Sequence, residues 1–376
     1  MSAVPAKWPL TRLGDICEFK YGKSLPETAR AGGDISVFGS NGVVGAHNSA
    51  LTEGPTIVIG RKGSHGEVNF SPASCWPIDT TYYVDRSATK ADIRWLFHRL
   101  CGAGLNQMNR AAAVPGLNRE DAYRVEILLP PLEEQRRIAA ILDQAETLRT
   151  QRRTALALLD SLTQSLFLDM FGDPAINQKG WEVKTIEELC EVKGGKRLPK
   201  GAEYSPTPTP YRYIRVTNFS NGQVDQKQLL YLTPEIQKSI GRYIVNTGDV
   251  IISIAGSIGL VAPVPASLDG ANLTENAAKL VQRRHANYLP DFLAFMLGTK
   301  AIQDQIQSHV GQVTIGKLAL FRIEKLTIPL PPLPLQQTFA TRIASIEALK
   351  ATHRRALAAL DALFASLQQR AFAGQL

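Results

Sequence analysis

The chain repeats itself. WPLTRLGDICEFKYGKSLP begins at Trp8 and WEVKTIEELCEVKGGKRLP at Trp181, an ungapped pairing at an offset of 173 residues in which Trp, Cys, Glu, Lys, Gly, Lys, Leu and Pro coincide. A second pairing sets LLPPLEEQRRIAAIL from Leu128 against PLPPLPLQQTFATRI from Pro329, at an offset of 201. It holds far downstream: Asp160 falls opposite Asp361, Leu166 opposite Leu367, and Phe171 opposite Phe372. The segment between head and tail is therefore 28 residues longer in the second copy. A period of this length is too long for a solenoid and reads as a duplicated domain. Two copies in one chain imitate a two-fold dimer and present one kind of surface twice. The middles differ most, which suggests a shared scaffold with separately specified working surfaces.

The 376 residues suffice for two domains with cores of their own, and 44% apolar with 20% charged residues is a globular composition. The expected division is a first domain over 1–130, a helical region over 131–173, a second domain over 174–330 and a second helical region over 331–376. The stretch VIISIAGSIGLVAPVPASL at 250–268 is the most apolar, but Gly256, Gly259, Pro263 and Pro265 interrupt it. It reads as buried strands and turns, not a membrane span. The N-terminal residues show no apolar leader. The four cysteines form no C-x-x-C and read as reduced, buried thiols, which with the missing leader points to the cytoplasm.

Both tails read as long helices. Pro130-Pro131 followed by Glu133 and Glu134 is a helix start, and Gly172 with Pro174 is a stop. Ile141, Ala145, Leu148, Arg152, Ala155, Leu159, Leu162 and Leu166 recur at alternating steps of four and three, a heptad seam. Ile346, Leu349, His353, Ala356, Leu360, Leu363 and Leu367 repeat it, with a basic-type residue at the same place, Arg152 and His353. The plain alternative is two amphipathic helices buried in ordinary cores. The favoured reading packs the two tails on each other, antiparallel, as a coiled-coil spacer. At about 1.5 Å per residue, some 40 residues span about 60 Å.

The middles are rich in β-branched residues, glycine and turn signals. Val37 to Gly45 reads as strand, Asn41-Gly42 turn and strand. Gly63-Ser64-His65-Gly66 and Gly256-Ser257-Ile258-Gly259 each follow an apolar strand; a tight hairpin explains them, and so does a loop made for close backbone approach. The net charge is +8 and the pI about 9.3, which suits a polyanion without demanding one. Basic, amide and hydroxyl residues gather near predicted turns: Lys20, Lys23, Asn41, Arg61, Lys62, Ser64, His65, Asn118 and Arg119 in the first copy, and Lys193, Lys196, Arg197, Arg212, Arg215, Asn218, Ser257 and Lys317 in the second. Arg and Lys grip phosphates or guanine edges, and Asn pairs with adenine, so as a set these are candidate DNA contacts. Any one of them alone is as well read as a solvated surface charge.

Catalytic machinery is not evident. The chain has no G-x-x-x-x-G-K-[ST] phosphate loop, no zinc-like Cys/His spacing and no Ser/His/Asp set. Phe38-Gly39-Ser40-Asn41-Gly42 lacks a cofactor-site partner motif. Leu129-Pro130-Pro131-Leu132 lacks the polar residue and the aromatic with which an amino-methyltransferase holds its target amine. Glu18-x-Lys20 and Glu191-x-Lys193 match a nuclease fragment that no nearby acid completes. The reading is a binding protein with no catalytic residue and no metal.

Two variable β-rich domains, each followed by PLPPL-x-x-Q and a heptad helix ending near Phe-Gly, resemble the DNA-specificity (S, or HsdS) subunit of type I restriction–modification systems. The resemblance covers nearly the whole chain. It is most specific at LPPLEEQRRIAAILDQAETL and its copy, FGSNGVVGAHN, IVIGRKGSHGEV, WPIDTTYYV and VPGLNRED. It departs in the second tail, where Glu-Glu-Gln becomes Pro334-Leu335-Gln336. The resemblance implies a mixed α/β fold with two target recognition domains, each reading half of a split double-stranded DNA site, held apart by the two helices. It implies docking to methyltransferase subunits and, through the complex, to a restriction and motor subunit. S-adenosylmethionine, ATP and Mg would belong to those partners, and none to this chain. The rival readings are a self-contained methyltransferase or nuclease, and a coiled-coil scaffold with no DNA role.

Overall fold

The computed structural model describes residues 8–108, 116–310 and 316–376. They form two compact units, one taking the chain up to Leu156 together with Thr352–Leu376, the other taking Ala157–Ala351. Each unit is built on the same plan.

In the first unit the head strand Leu10–Arg12 pairs antiparallel with Glu126–Leu128, Leu10 opposite Leu128. This ties the start of the domain to the residues just before the tail. A four-stranded antiparallel sheet follows the order Lys20–Tyr21, Thr81–Val84, Thr56–Gly60, Val68–Ser71. A three-stranded sheet runs Gly42–His47, Ile35–Gly39, Trp76–Pro77, its last pair parallel. The hairpin between the first two of these turns on Ser40 and Asn41, with Gly42 at a φ of 112° opposite Gly39. Every residue of Thr56–Gly60 is buried, as a strand covered on both faces must be, and Trp95 on the helix Ile93–Cys101 is fully buried against it.

The second unit repeats this: Glu182–Thr185 with Thr327–Leu330, then Cys190–Gly194, Ala277–Gln282, Val250–Ser253, Val261–Pro263, then Leu230–Tyr231, Arg212–Ile214, Asn272–Leu273. A short hairpin, Phe219–Ser220 with Gln223–Val224, lies in its longer middle. The apolar stretch at 250–268 forms two buried strands and a 3-10 turn. Among the described residues no helix is long and apolar enough to cross a membrane. Cys17, Cys75 and Cys190 are buried, whereas Cys101 ends its helix exposed.

The repeated Pro-Pro-Leu-x-x-Gln phrase is a joint. The two prolines stop the preceding strand and leave the Pro130 carbonyl without a ladder partner. The Gln135 side chain, 4% exposed, donates to that carbonyl at 2.8 Å and accepts from the Asp92 amide at 2.8 Å, just ahead of the helix Ile93–Cys101. Gln336, fully buried, donates to Pro331 O at 2.7 Å and accepts from the Leu289 amide at 2.9 Å, ahead of the helix Pro290–Gly298. One amide thus satisfies a carbonyl and an N–H that would otherwise be buried unpaired.

The helices Leu132–Phe171 and Leu333–Phe372 each contribute to both units. In the first unit Arg149 donates to Asp361 at 2.6 Å, its guanidinium lies 4.5 Å over the Phe364 ring, and Arg152 meets His353 at 3.4 Å. In the second, Lys350 meets Asp160 and Glu347, each at 2.8 Å, and Phe167 packs edge-on against Phe339. In each unit the partner number falls as the other rises, so the segments run antiparallel. Arg149 and Lys350 are equivalent positions at the 201 offset, as are Asp361 and Asp160.

The seam follows one of the two heptad tracks read from the sequence, and the leucines of the other turn away from it. Ala145 is buried, and Ile141, Arg152, Leu159, Leu166, Ile346, His353, Leu360 and Leu367 are half-buried. Leu148, Leu162, Leu349 and Leu363 instead face out, 41–49% exposed. Their neighbours Arg149, Thr163, Lys350 and Phe364 take the inner track. Arg and Lys stems pack along the partner helix while their charged heads are met by carboxylates. Polar side chains on the inner track and leucines on the outer one inverted the apolar signal.

The first unit also seats the far end of the second long helix. Gln368 donates to the His98 carbonyl at 3.3 Å, and Ala371 is fully buried. The His98 ring, 2% exposed, contacts Asp143 at 2.7 Å, and Arg94 donates to both oxygens of the same carboxylate. Burial pushes the imidazole below its ordinary range, although Asp143 pulls the other way. Burial also works against the Asp143 carboxylate, but the hydrogen bonds from Arg94 and His98 hold it below the usual range.

Gln135→Leu and Gln336→Leu each strand one buried N–H and one buried carbonyl. Each is expected to lose roughly 2–4 kcal/mol in urea unfolding; a change within error would show that the joint has no energetic role. For His98 the folded state holds its proton less tightly than the unfolded chain. Its stabilisation is therefore full above the ordinary histidine range and is lost as pH falls, with Asp143 adding to the loss at lower pH. The urea midpoint should decline between about pH 7 and pH 5, and His98→Gln should flatten that decline.

Candidate nucleic-acid interface

In the first unit two of the functional candidates, Arg61 and Arg119, meet at Tyr21, at the end of the strand Lys20–Tyr21. The strand Thr56–Gly60 is fully buried up to Gly60, where any Cβ would sit 2.1 Å from the Ser64 carbonyl. The chain therefore turns out at Arg61. The Arg61 backbone is held on two sides: its N–H donates to Thr80 O and its carbonyl accepts from Leu117 N, both at 2.9 Å. That second bond brings Asn118 and Arg119 alongside. Asn118 caps the short helix Arg119–Tyr123, its side chain accepting from the Glu120 amide. The Arg61 guanidinium lies 5.2 Å from the Tyr21 ring centre and 5.9 Å from that of Tyr82. The Arg119 guanidinium lies 5.3 Å from Tyr21 and 5.7 Å from Tyr123. One exposed tyrosine thus holds two guanidiniums by cation–π attraction. Burial pushes the Tyr82 and Tyr123 hydroxyls above their ordinary range, so these rings stay neutral near pH 7.

The other first-copy candidates are placed differently. Lys62, Ser64 and Asn41 are exposed, Lys62 at an isolated bridge to Gly116 and the other two in a bend and a turn. The Gly63-Ser64-His65-Gly66 loop is a tight turn: Gly63 and Gly66 have φ of 73° and 76°, and a Cβ on Gly66 would meet Asn106 N at 2.2 Å. His65 folds back on this loop, with its Nε2 buried and unpartnered. Lys20 is engaged by Ser87 and Asp85 on the sheet. Lys23 is exposed, its carbonyl accepting from the Trp76 indole at 2.9 Å. Of VPGLNRED, Val114 and Pro115 lie outside the described residues.

In the second unit Lys196, Arg197 and Lys317 line a groove of about 350 Å³ with Gly194, Ile254 and Leu320. Glu275, on its wall, pairs with Arg197 at 3.0 Å. Arg215 lines an adjoining groove of about 620 Å³ with Tyr204 and Tyr213, and its Nε is buried without a partner. Arg212 is turned away to the Ser267 carbonyl, and Lys193 pairs with Glu191 along its own strand at 2.8 Å. Ser257 is exposed on the Gly256 to Gly259 turn. Asn218, in contrast, is buried: it is 2% exposed, accepts from the Arg215 amide at 2.9 Å and donates to Asp225 O and Gln228 O. It organises the loop that carries Arg215.

Sequence reasoning missed Tyr21, Tyr82, Tyr123, Tyr204 and Glu275. A tyrosine inside a basic K-Y-G-K stretch is a signal that could have found the first of these. The rest are neighbours only through the sheets. The glycine of that stretch is structural in both copies, since a Cβ on Gly22 or Gly195 would lie 2.1 Å from the carbonyl of Ile78 or Thr274. Among the described residues, no group of three or more His, Cys, Asp or Glu side chains could hold a metal ion. What both units offer is cations on loops beside aromatic rings, suited to a polyanion and to base edges.

Asn218→Ala is expected to lower stability by roughly 1–3 kcal/mol through unpaired loop groups, measured by urea unfolding. A stability equal to wild type would return Asn218 to the list of surface candidates.

Comparison with known proteins gives a consistent picture. Residues 5–157 and 178–361 each match the family described as the type I restriction modification DNA specificity domain. The EcoBI specificity subunit of a type I restriction enzyme from Escherichia coli is 24% identical over 336 residues, 78% of this chain and 68% of that protein. The MjaVIII specificity subunit from Methanocaldococcus jannaschii is 21% identical over 282 residues, 69% of this chain and 64% of that protein. The crystal structure of the S subunit of a type I restriction–modification system from M. genitalium has the same fold, with a TM-score of 0.66 at 14% identity over 99% of this chain and 98% of that one.

Proposed function

Since the chain belongs to the type I restriction modification DNA specificity family, we propose that it reads a split double-stranded DNA site, one half through each duplicated unit, as the non-catalytic specificity subunit of a methyltransferase and restriction complex. The observation that carries this is the duplication itself: one scaffold, written twice, with different cationic and aromatic side chains at its loops. The 40-residue helices would set the gap between the half-sites. Half-sites read from one face of B-DNA lie about one helical turn apart, or a multiple of it.

Docking of methyltransferase subunits is assigned to the long helices. Leu148 and Leu162 on the first helix and Leu349 and Leu363 on the second are equivalent pairs at the 201 offset, and all four face outward. Leucines repeated in this way on an antiparallel pair suit a partner helix better than water. Methyl transfer would belong to those subunits, with S-adenosylmethionine and an adenine flipped from the stack. ATP and Mg would serve a restriction subunit reached through the complex. The setting for this work is the cytoplasm.

Three measurements test the division of labour. Adenine methylation mapped in cells with and without this chain, beside its methyltransferase, should show a split motif only with the chain. Replacing residues 27–127 should alter one half of that motif alone. One heptad added in register to both long helices should change the gap and leave both half-sites as they were. Altered half-sites in the heptad variant would sink the assignment of the helices as a spacer. Absence of salt-dependent duplex binding would favour the scaffold reading.

A further inference from the structure

The two copies can be matched residue by residue through their backbone hydrogen bonds. The amides of Arg61 and Lys62 both donate to Thr80 O, and those of Ile254 and Ala255 both donate to Asn276 O. The Arg61 carbonyl accepts from Leu117 N at 2.9 Å, and the Ile254 carbonyl accepts from Leu318 N at 2.9 Å. Tyr21 is paired with Tyr82, and Gly194 with Ala278. Arg119 and Leu320 each open the short helix that follows. So Tyr21, Arg61, Tyr82 and Arg119 of the first copy correspond to Gly194, Ile254, Ala278 and Leu320 of the second.

The backbone scaffold at this place is the same, and the side chains at the four equivalent positions differ completely. The first copy fills it with an aromatic ring bearing two guanidiniums. The second has neither the ring, the two arginines nor the second tyrosine at these positions; its groove, floored by Gly194, Ile254 and Leu320, takes its cations from other places, Lys196, Arg197 and Lys317. Packing does not require the arginines, since the second copy keeps the same backbone bonds without them. Among the described residues no side-chain hydrogen bond engages either guanidinium of the first copy, and the Arg119 Nε is buried with only Glu120 near it, at 3.6 Å. The terminal donors of guanidiniums aligned on a ring, with no hydrogen-bond partner among the described residues, are pre-organised for a planar acceptor pair. In duplex DNA that pair is guanine N7 and O6 in the major groove.

We propose that Arg61 and Arg119, held on Tyr21, are specificity-determining residues that select guanine in the half-site read by the first copy, and that the equivalent positions of the second copy, Ile254 and Leu320, make no such contact. This rests on the functional reading above and adds the base and the residues to it. A phosphate grip by the same arginines is the competing outcome, and lysine separates the two. Lysine keeps the charge that holds a phosphate and loses the fork that fits a guanine edge.

The test is selection of bound duplexes from a randomised library by the full-length chain, wild type against Arg61→Lys, Arg119→Lys, Tyr21→Phe and Tyr21→Ala. Thermal unfolding of each variant accompanies it. Guanine preference at a position in one half-site should fall roughly five- to a hundredfold in at least one lysine variant, with the other half-site unchanged. Tyr21→Ala should weaken the same position, and Tyr21→Phe should preserve it. Tyr21 is 52% exposed, so its removal tests the arrangement even if a lysine variant unfolds. Three results would overturn the proposal: a selected motif unchanged in folded variants, a uniform loss of affinity across sequences, or a change in the other half-site. If the wild-type chain selected no motif at all, the functional reading itself would fail, which is a separate result.

Discussion

A single buried carboxamide joins each domain to its long helix. The preceding strand must end, and two prolines end it, but they leave a carbonyl with nothing to bind. The helix packed nearby begins with an amide in the same position. Gln135 and Gln336 each meet both needs with the two ends of one side chain. Their burial makes the geometry exacting, because a missed hydrogen bond in the interior costs more than a made one contributes. The side chain therefore fixes the direction in which each long helix leaves its domain. In the second tail Gln is retained while the glutamates before it are not; in the first tail Glu133 and Glu134 form ion pairs with Arg136 and Arg137, one helical turn on.

The long helices follow from that exit. Their mutual seam is unusually polar at its inner track. A cation from one helix lies between a carboxylate of the other and one of its own: Arg149 with Asp361 and Glu146 in the first unit, Lys350 with Asp160 and Glu347 in the second. Such contacts favour one register and the antiparallel direction more than they add to stability. Burial opposes the charge on Lys350, but Asp160 and Glu347 together hold its ammonium above the ordinary range. With charge on the inside, leucines at equivalent places, Leu148 with Leu349 and Leu162 with Leu363, are left on the outside.

The duplication gives the clearest contrast between scaffold and working surface. Gly22 and Gly195, and Gln135 and Gln336, occupy matching environments, and each is retained. Tyr21, Arg61 and Arg119 occupy environments that match equally well in backbone terms, and none is retained. Side chains that the fold requires repeat, and those it merely presents are free to differ.

The sequence by itself determined the duplication, the two long helices and one track of their seam, because each depends on local periodicity or on residues within one turn of each other. The basic turns were also legible as a set. The tertiary structure decided which of those residues have free donors. Asn218 proved to be an internal loop support, Arg212 and Lys193 were tied to their own neighbourhood, and Arg61 was brought beside Arg119. That last pairing depends on a backbone bond between residues 56 positions apart, from Leu117 N to Arg61 O, and on a tyrosine supplied by a third strand. No local pattern encodes such a meeting, because hydrogen bonds between strands are set by where the sheets close. The outward leucines were misread for a related reason: on a helix whose inner face carries paired charge, hydrophobicity alone does not say which face is inside.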